Sequence, residues 1–173
     1  RTAAHGPLLQ RREARLTDGF SVARLVLLQQ PAADQQPDAA VTDLDGRITG
    51  AHRTWLDPDG FSEANLGKAP IKTPRRAMGN LLGHAVRFGT ARDVMAAGEG
   101  IETMLSLNMA LSDLPMVAAL SAAHLAAIRF PPSLRRLYIA RDNDPAGDGA
   151  SAGLTQRAKD AGIEAIPLSP HLG

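Results

Sequence analysis

From residue 93 onward, short aliphatic-rich runs alternate with stretches of helical spacing. Val94–Ala97, Met116–Leu120, Leu134–Ala140 and Ile163–Leu168 are runs of strand length with little internal polar alternation, as expected of strands covered on both faces. Between them, Ile101–Leu111, Ala122–Ile128 and Ala146–Ala161 predict helices. Ser121 stands where an N-cap belongs, Pro131-Pro132 interrupts the chain, and Gly162 follows the last helix as a C′ residue. Strand–helix alternation of this kind implies an α/β fold, a parallel sheet flanked by helices. In such sheets ligands collect beyond the carboxyl ends of the strands.

The preceding segment has a different period. Residues 40–56 form two β-prone runs around Asp45-Gly46, a strong hairpin signal. Asp57-Pro58-Asp59-Gly60 reads as a second turn, with further strands expected around Ala69–Thr73 and Ala85–Phe88. His52 and Arg53 are neighbours on the hairpin and so fall on opposite faces; one could meet a ligand, although a lone strand His is more often structural. Residues 30–40 hold two prolines and no periodicity, which marks a linker. Residues 1–30 contain Arg but no Lys, and an amphipathic helix is expected around Ser21–Gln29, most simply as a packing helix with a solvated basic face. The chain thus divides into a basic N-terminal segment and linker (1–39), a small α+β accessory subdomain with a β-hairpin (40–91), and an α/β domain (92–173).

Composition narrows the partners. Hydrophobic residues make up 44% and charged residues 21% of the 173, ordinary for a globular protein. No apolar run reaches the roughly 20 residues of a membrane span. Cysteine is absent, which excludes disulfides and cysteine-ligated zinc and fits a cytoplasmic setting. Aromatics are only 3%, so the core must be aliphatic and stacking platforms for single strands are few. With a net charge of +1, any polyanion must be held by local basic patches. Lys68, Lys72, Arg75 and Arg76 supply one, in a stretch that Pro70 and Pro74 keep from being helical. It is either a phosphate-tracking surface or a solvated loop. Arg1, not Met, opens the sequence, as in a segment of a longer protein.

Candidate chemistry lies at the strand ends. Glu99, between Gly98 and Gly100, follows the first strand of the α/β region; Asp142 and Asp144 follow the third. In extended chain, residues i and i+2 point the same way, so the two Asp can share a divalent cation. DND can also serve as a plain polar turn and helix cap. Glu99 at a neighbouring strand end favours the cation, because three clustered carboxylates repel one another unless a charge is placed among them. Mg²⁺ takes oxygen ligands and keeps several waters, so two or three carboxylates suffice.

Gly98-Glu99-Gly100 opening a helix, with Asp142-x-Asp144-Pro145-Ala146-Gly147 after a later strand, resembles the Toprim domain of topoisomerases and primases. The likeness is closest to primase-type members of phage, plasmid and mobile-element origin. It covers residues 92–168 and extends loosely over 40–90, where VTDLDGRITGAHRTWL and GKAPIKTPRR are similar to a primase accessory subdomain. The resemblance implies a DNA primase that joins ribonucleotides on single-stranded DNA with Mg²⁺, or Mn²⁺ in its place. Glu99 would be the acid/base residue, and Glu99, Asp142 and Asp144 the metal site. Lys68, Lys72, Arg75 and Arg76 would contact nucleotide or template phosphates, and a replicative helicase would be a candidate partner. Asn143 is expected to face away from the metal. Thr103 departs from the family, which often carries Asp four residues after the Glu; Glu102 beside it is either a substitute or an exposed first-turn residue suited to the helix dipole. A metal-dependent Toprim nuclease and a non-catalytic Toprim module that binds DNA or a helicase are the alternative readings.

Overall fold

The computed structural model describes residues 25–26, 38–57, 68–141 and 145–168. In chain order the elements are β1 (Leu25–Val26), β2 (Asp38–Thr42), β3 (Ile48–Thr54), β4 (Arg75–Gly79), β5 (Val86–Phe88), β6 (Val94–Gly98), α1 (Ile101–Ala110), β7 (Met116–Ala118), α2 (Ala122–Ala126), β8 (Arg136–Ala140), α3 (Pro145–Asp160) and β9 (Glu164–Leu168). β1 to β4 make an antiparallel sheet in sequence order. The other five strands form a second sheet in the order β5-β7-β6-β8-β9, parallel except for β5, which runs antiparallel to β7.

Side-chain alternation sorts the central sheet into two cores. Met95, Ala97, Val117, Leu137 and Ile139 pack on one face against Leu125 of α2 and Ala150, Leu154 and Ala158 of α3. Ala96, Met116, Ala118 and Ala140 point the other way, onto Met104 of α1. With so few aromatics, small and flexible side chains bring the layers close. Ser121 caps α2, its Oγ accepting from His124 N at 3.3 Å. Gly162 closes α3 at φ +72°, and Ile163 N donates to Ala158 O at 2.8 Å in the 6→1 manner of a Schellman end. Ser121→Ala is expected to lower stability by about 1 kcal/mol in urea titrations.

The small sheet is stacked on the α1 side. Ala39 and Val41 of β2 enter the same core as Met104, Met116 and Val86. Thr42 and Ala85 exchange backbone hydrogen bonds at 2.9 and 3.3 Å, and Arg87 Nε donates to Asp43 O at 3.1 Å. The hairpin turn forms as expected, with Gly46 at φ +79° and Asp43 Oδ1 accepting from Asp45 N and Arg47 N, each at 2.9 Å. Partial desolvation would raise the Asp43 carboxyl, but these two N–H groups and the Arg47 charge hold it below its ordinary range.

Two sequence expectations need correction. Ala69–Thr73 is not a strand; it runs through bends, and the strand that pairs with β3 is Arg75–Gly79. Pro70 and Pro74 lack the N–H that a ladder requires, and Pro74 contributes only its carbonyl, accepting from Trp55 N at 2.8 Å. Leu25 and Val26, inside the stretch read as a helix, pair with Ala39 and Asp38 as a strand; local apolar spacing yields to edge pairing there. The rest of Ser21–Gln29 lies outside the described residues.

Candidate active site at the strand ends

Chain order and strand order cross at β6. From β6 the chain passes through α1 to β7 on one side; from β8 it passes through α3 to β9 on the other. The crevice of such a sheet opens where these directions diverge, between the carboxyl ends of β6 and β8. Gly98 is in register with Ala140, so the chain leaves the two strands side by side, at Glu99 and Arg141. Asp142, Asn143 and Asp144 come next in the sequence and lie outside the described residues, as does the orientation expected for Asn143. Among the described residues, no three His, Asp or Glu side chains gather as a metal site.

The local backbone is built for close approach. A Cβ on Gly98 would collide with the Met104 sulfur and stand 3.0 Å from Ala140 O. Ala119 N and Leu120 N donate to Gly98 O and Glu99 O, each at 2.8 Å, carrying the β6–β7 ladder one step past the strands and fixing the Glu99 backbone. Leu120 then turns at φ +78°, the left-handed region, the sole non-glycine to do so among the described residues. That conformation costs on the order of 1–2 kcal/mol; it delivers Ser121 to its capping position and His124 to the same rim. On the other side, Arg141 is paired with Asp148 in the first turn of α3, where a carboxylate also suits the helix dipole.

Above this rim sits the small sheet. A cleft of about 230 Å³ lies between the two, with His52, Arg75 and Arg76 on one wall and Glu99, Ser121 and His124 on the other. Arg75 Nη2 reaches Glu102 Oε1 at 2.6 Å. The side chains are 44% and 54% exposed, so the pair contributes no more than about 1 kcal/mol and exchanges readily with other partners. Glu102 is therefore an exposed first-turn residue engaged with the basic strand.

The four basic residues separate into two pairs. Arg75 and Arg76 belong to β4 and line the cleft; Lys68 bridges to Leu56 and Lys72 is exposed in the bend, and neither lines it. His52, expected to be structural, does line it. Neither spacing nor periodicity singles out His124: it occupies an unremarkable place on a short helix, and only the strand order brings it to Glu99.

Comparison with known proteins bears on the family and the fold. Residues 94–173 match the Toprim domain family, and residues 39–88 match a domain of unknown function (DUF7146). No curated protein matches the chain. Among solved structures, the crystal structure of the primase fragment of the bacteriophage T7 primase-helicase protein superposes with a TM-score of 0.56 at 14% identity, covering 80% of this chain and 55% of that one. The chain thus spans about half the length of that fragment, and the likeness is one of fold. Among the described residues no helix is long and apolar enough to cross a membrane. Residues 94–173 of this chain are a Toprim domain.

Proposed function

We propose that this chain is the nucleotidyl-transfer core of a DNA primase, joining ribonucleotides on a single-stranded DNA template. The observation that carries the reading is the cleft, in which a basic antiparallel strand faces the Glu99 strand end of a Toprim sheet. A superposition on a primase fragment that covers 80% of this chain supports it. Glu99 with Asp142 and Asp144 is an all-oxygen donor set suited to Mg²⁺, or Mn²⁺ in its place. Bound there, the cation supplies charge neutralisation and orientation of phosphate oxygens.

The chain's own residues then have distinct tasks. A primer 3′-hydroxyl attacks the α-phosphorus of the incoming nucleotide, an O–P bond forms, and pyrophosphate leaves with the bond it breaks. Glu99 accepts the hydroxyl proton. Arg75 and Arg76 hold phosphates of nucleotide or template, and Lys68 and Lys72 extend that basic surface along the template outside the cleft. The parent protein would work beside a replicative helicase.

A template-dependent primer assay on wild type and Asp142→Ala tests the reading. Product from wild type alone supports it, and equal product from both sinks it. Cleavage of DNA or RNA without added nucleotides would instead mark a nuclease. Absence of both activities, with no Mg²⁺ or Mn²⁺ effect on melting, would mark a binding module. Because Glu102 occupies Arg75, Glu102→Gln is expected to tighten nucleotide or single-stranded DNA binding about two- to fivefold at low salt, an effect that fades by 0.5 M salt. Fluorescence anisotropy across a salt series measures it.

A further inference from the structure

We propose that His124 contacts the incoming nucleotide, its Nε2–H donating to a nucleotide oxygen from the Toprim wall of the cleft. The inference rests on the nucleotide-binding reading of that cleft and adds a residue that neither spacing nor family motif supplies.

Three features support it. The ring is carried on a fixed base: His124 N is tied to Ser121 Oγ at 3.3 Å, Leu125 N to Ser121 O at 2.8 Å, and Leu125 is fully buried. His124 nevertheless lines the cleft together with Glu99 and Arg75. Its Nδ1 is buried and has no hydrogen-bond partner among the described residues.

We take the proton to sit on Nε2. A neutral imidazole carries one N–H, and placing it on Nδ1 would bury an unsatisfied donor at its full desolvation cost. With the proton on Nε2, the buried Nδ1 carries an unshared lone pair in place of an unshared N–H, and Nε2 becomes the donor. No described group accepts from that donor. Ser121 is adjacent, and its Oγ, already accepting from His124 N, keeps its own proton to donate. Two side-chain donors therefore stand at the end of β7, next to the backbone that Leu120 N fastens to Glu99 O. A wall that also carries the Glu99 and Glu102 carboxylates needs directional donors to hold ligand oxygens, and these two provide them.

The test is equilibrium binding of a fluorescent ATP analogue with Mg²⁺ to the full chain, for wild type, His124→Leu and His124→Gln, with melting temperatures measured alongside. Gln places an amide donor near Nε2; Leu fills similar space with none. His124→Leu is expected to weaken binding about tenfold, the effect of one lost hydrogen bond, with melting within a degree or two of wild type. His124→Gln should recover most of the affinity. In primer synthesis the Leu variant should raise KM for nucleotide with little change in kcat. Unchanged affinity in His124→Leu overturns the inference, and so does equal loss in both variants, which would mark a packing role. A wild type with no nucleotide affinity overturns the function proposed above and this contact with it. Affinity retained by both variants, with wild-type primer synthesis, overturns this contact alone.

Discussion

Glu99→Gln is expected to reduce primer synthesis by about 10²- to 10⁴-fold, the range for loss of a positioned general base. The substitution keeps the shape and removes the charge. The backbone at 99 is held by Leu120 N and its neighbour Gly98 by Ala119 N, so the fold and the cleft should persist. Two measurements separate this from a folding defect. Melting without metal should match wild type to within a degree or two. The upward shift that Mg²⁺ gives wild type should shrink, because a cation that binds the native state more weakly stabilises it less. A variant with wild-type primer yield would remove Glu99 from the chemistry.

The largest effect on stability is expected at the residue before it. Gly98→Val should lower unfolding free energy by about 1–3 kcal/mol, the usual cost of inserting carbon into a filled core. Here even the first added carbon meets the Met104 sulfur and approaches Ala140 O to 3.0 Å. Met104 can adjust; the backbone carbonyl of β8 cannot move without disturbing the Gly98–Ala140 register. The same variant should therefore lose activity more than its stability suggests, since the strand ends that carry Glu99 and precede Asp142 are forced apart. Gly100→Ala is the matched control, its Cβ meeting Thr103 Oγ1 at 3.2 Å and Glu102 Oε2 and Thr103 Cβ at 3.8 Å, side-chain atoms alone, and it should cost far less. Urea unfolding of both variants gives the comparison.

Much of the α/β region was legible because its signals are local. Ser121 and Gly162 mark helix ends through capping chemistry, and the aliphatic runs identify strands covered on both faces. Asp45-Gly46 marks the hairpin in the same way, through the left-handed glycine. The small sheet was harder. Its β4 is exposed at every position, so burial imposes no hydrophobic period and the sequence RRAMG carries little strand signal; pairing with β3 decides it. The antiparallel placement of β5 also depends on tertiary contact, because nothing in VRF states a direction. The site follows the same division. Glu99 is visible from its glycines and its strand, whereas the partition of the basic residues, Arg75 and Arg76 to the cleft and Lys68 and Lys72 away from it, requires the β3–β4 register. His124 depends on strand order, a property of the whole sheet.

The reciprocal Thr42–Ala85 bonds and the shared core of Val41, Val86 and Met116 bear on how this protein can be taken apart. β5 is the sheet's edge strand and also the end of the segment that brings the chain out of the small sheet. Cutting the chain between residues 88 and 94 would leave Met116 and Ala118 without the cover of Val41 and Val86. The two sheets are therefore expected to melt as one cooperative unit, and under the proposed function a nucleotide would enter by swinging exposed side chains such as Arg75 aside, without hinging one half against the other.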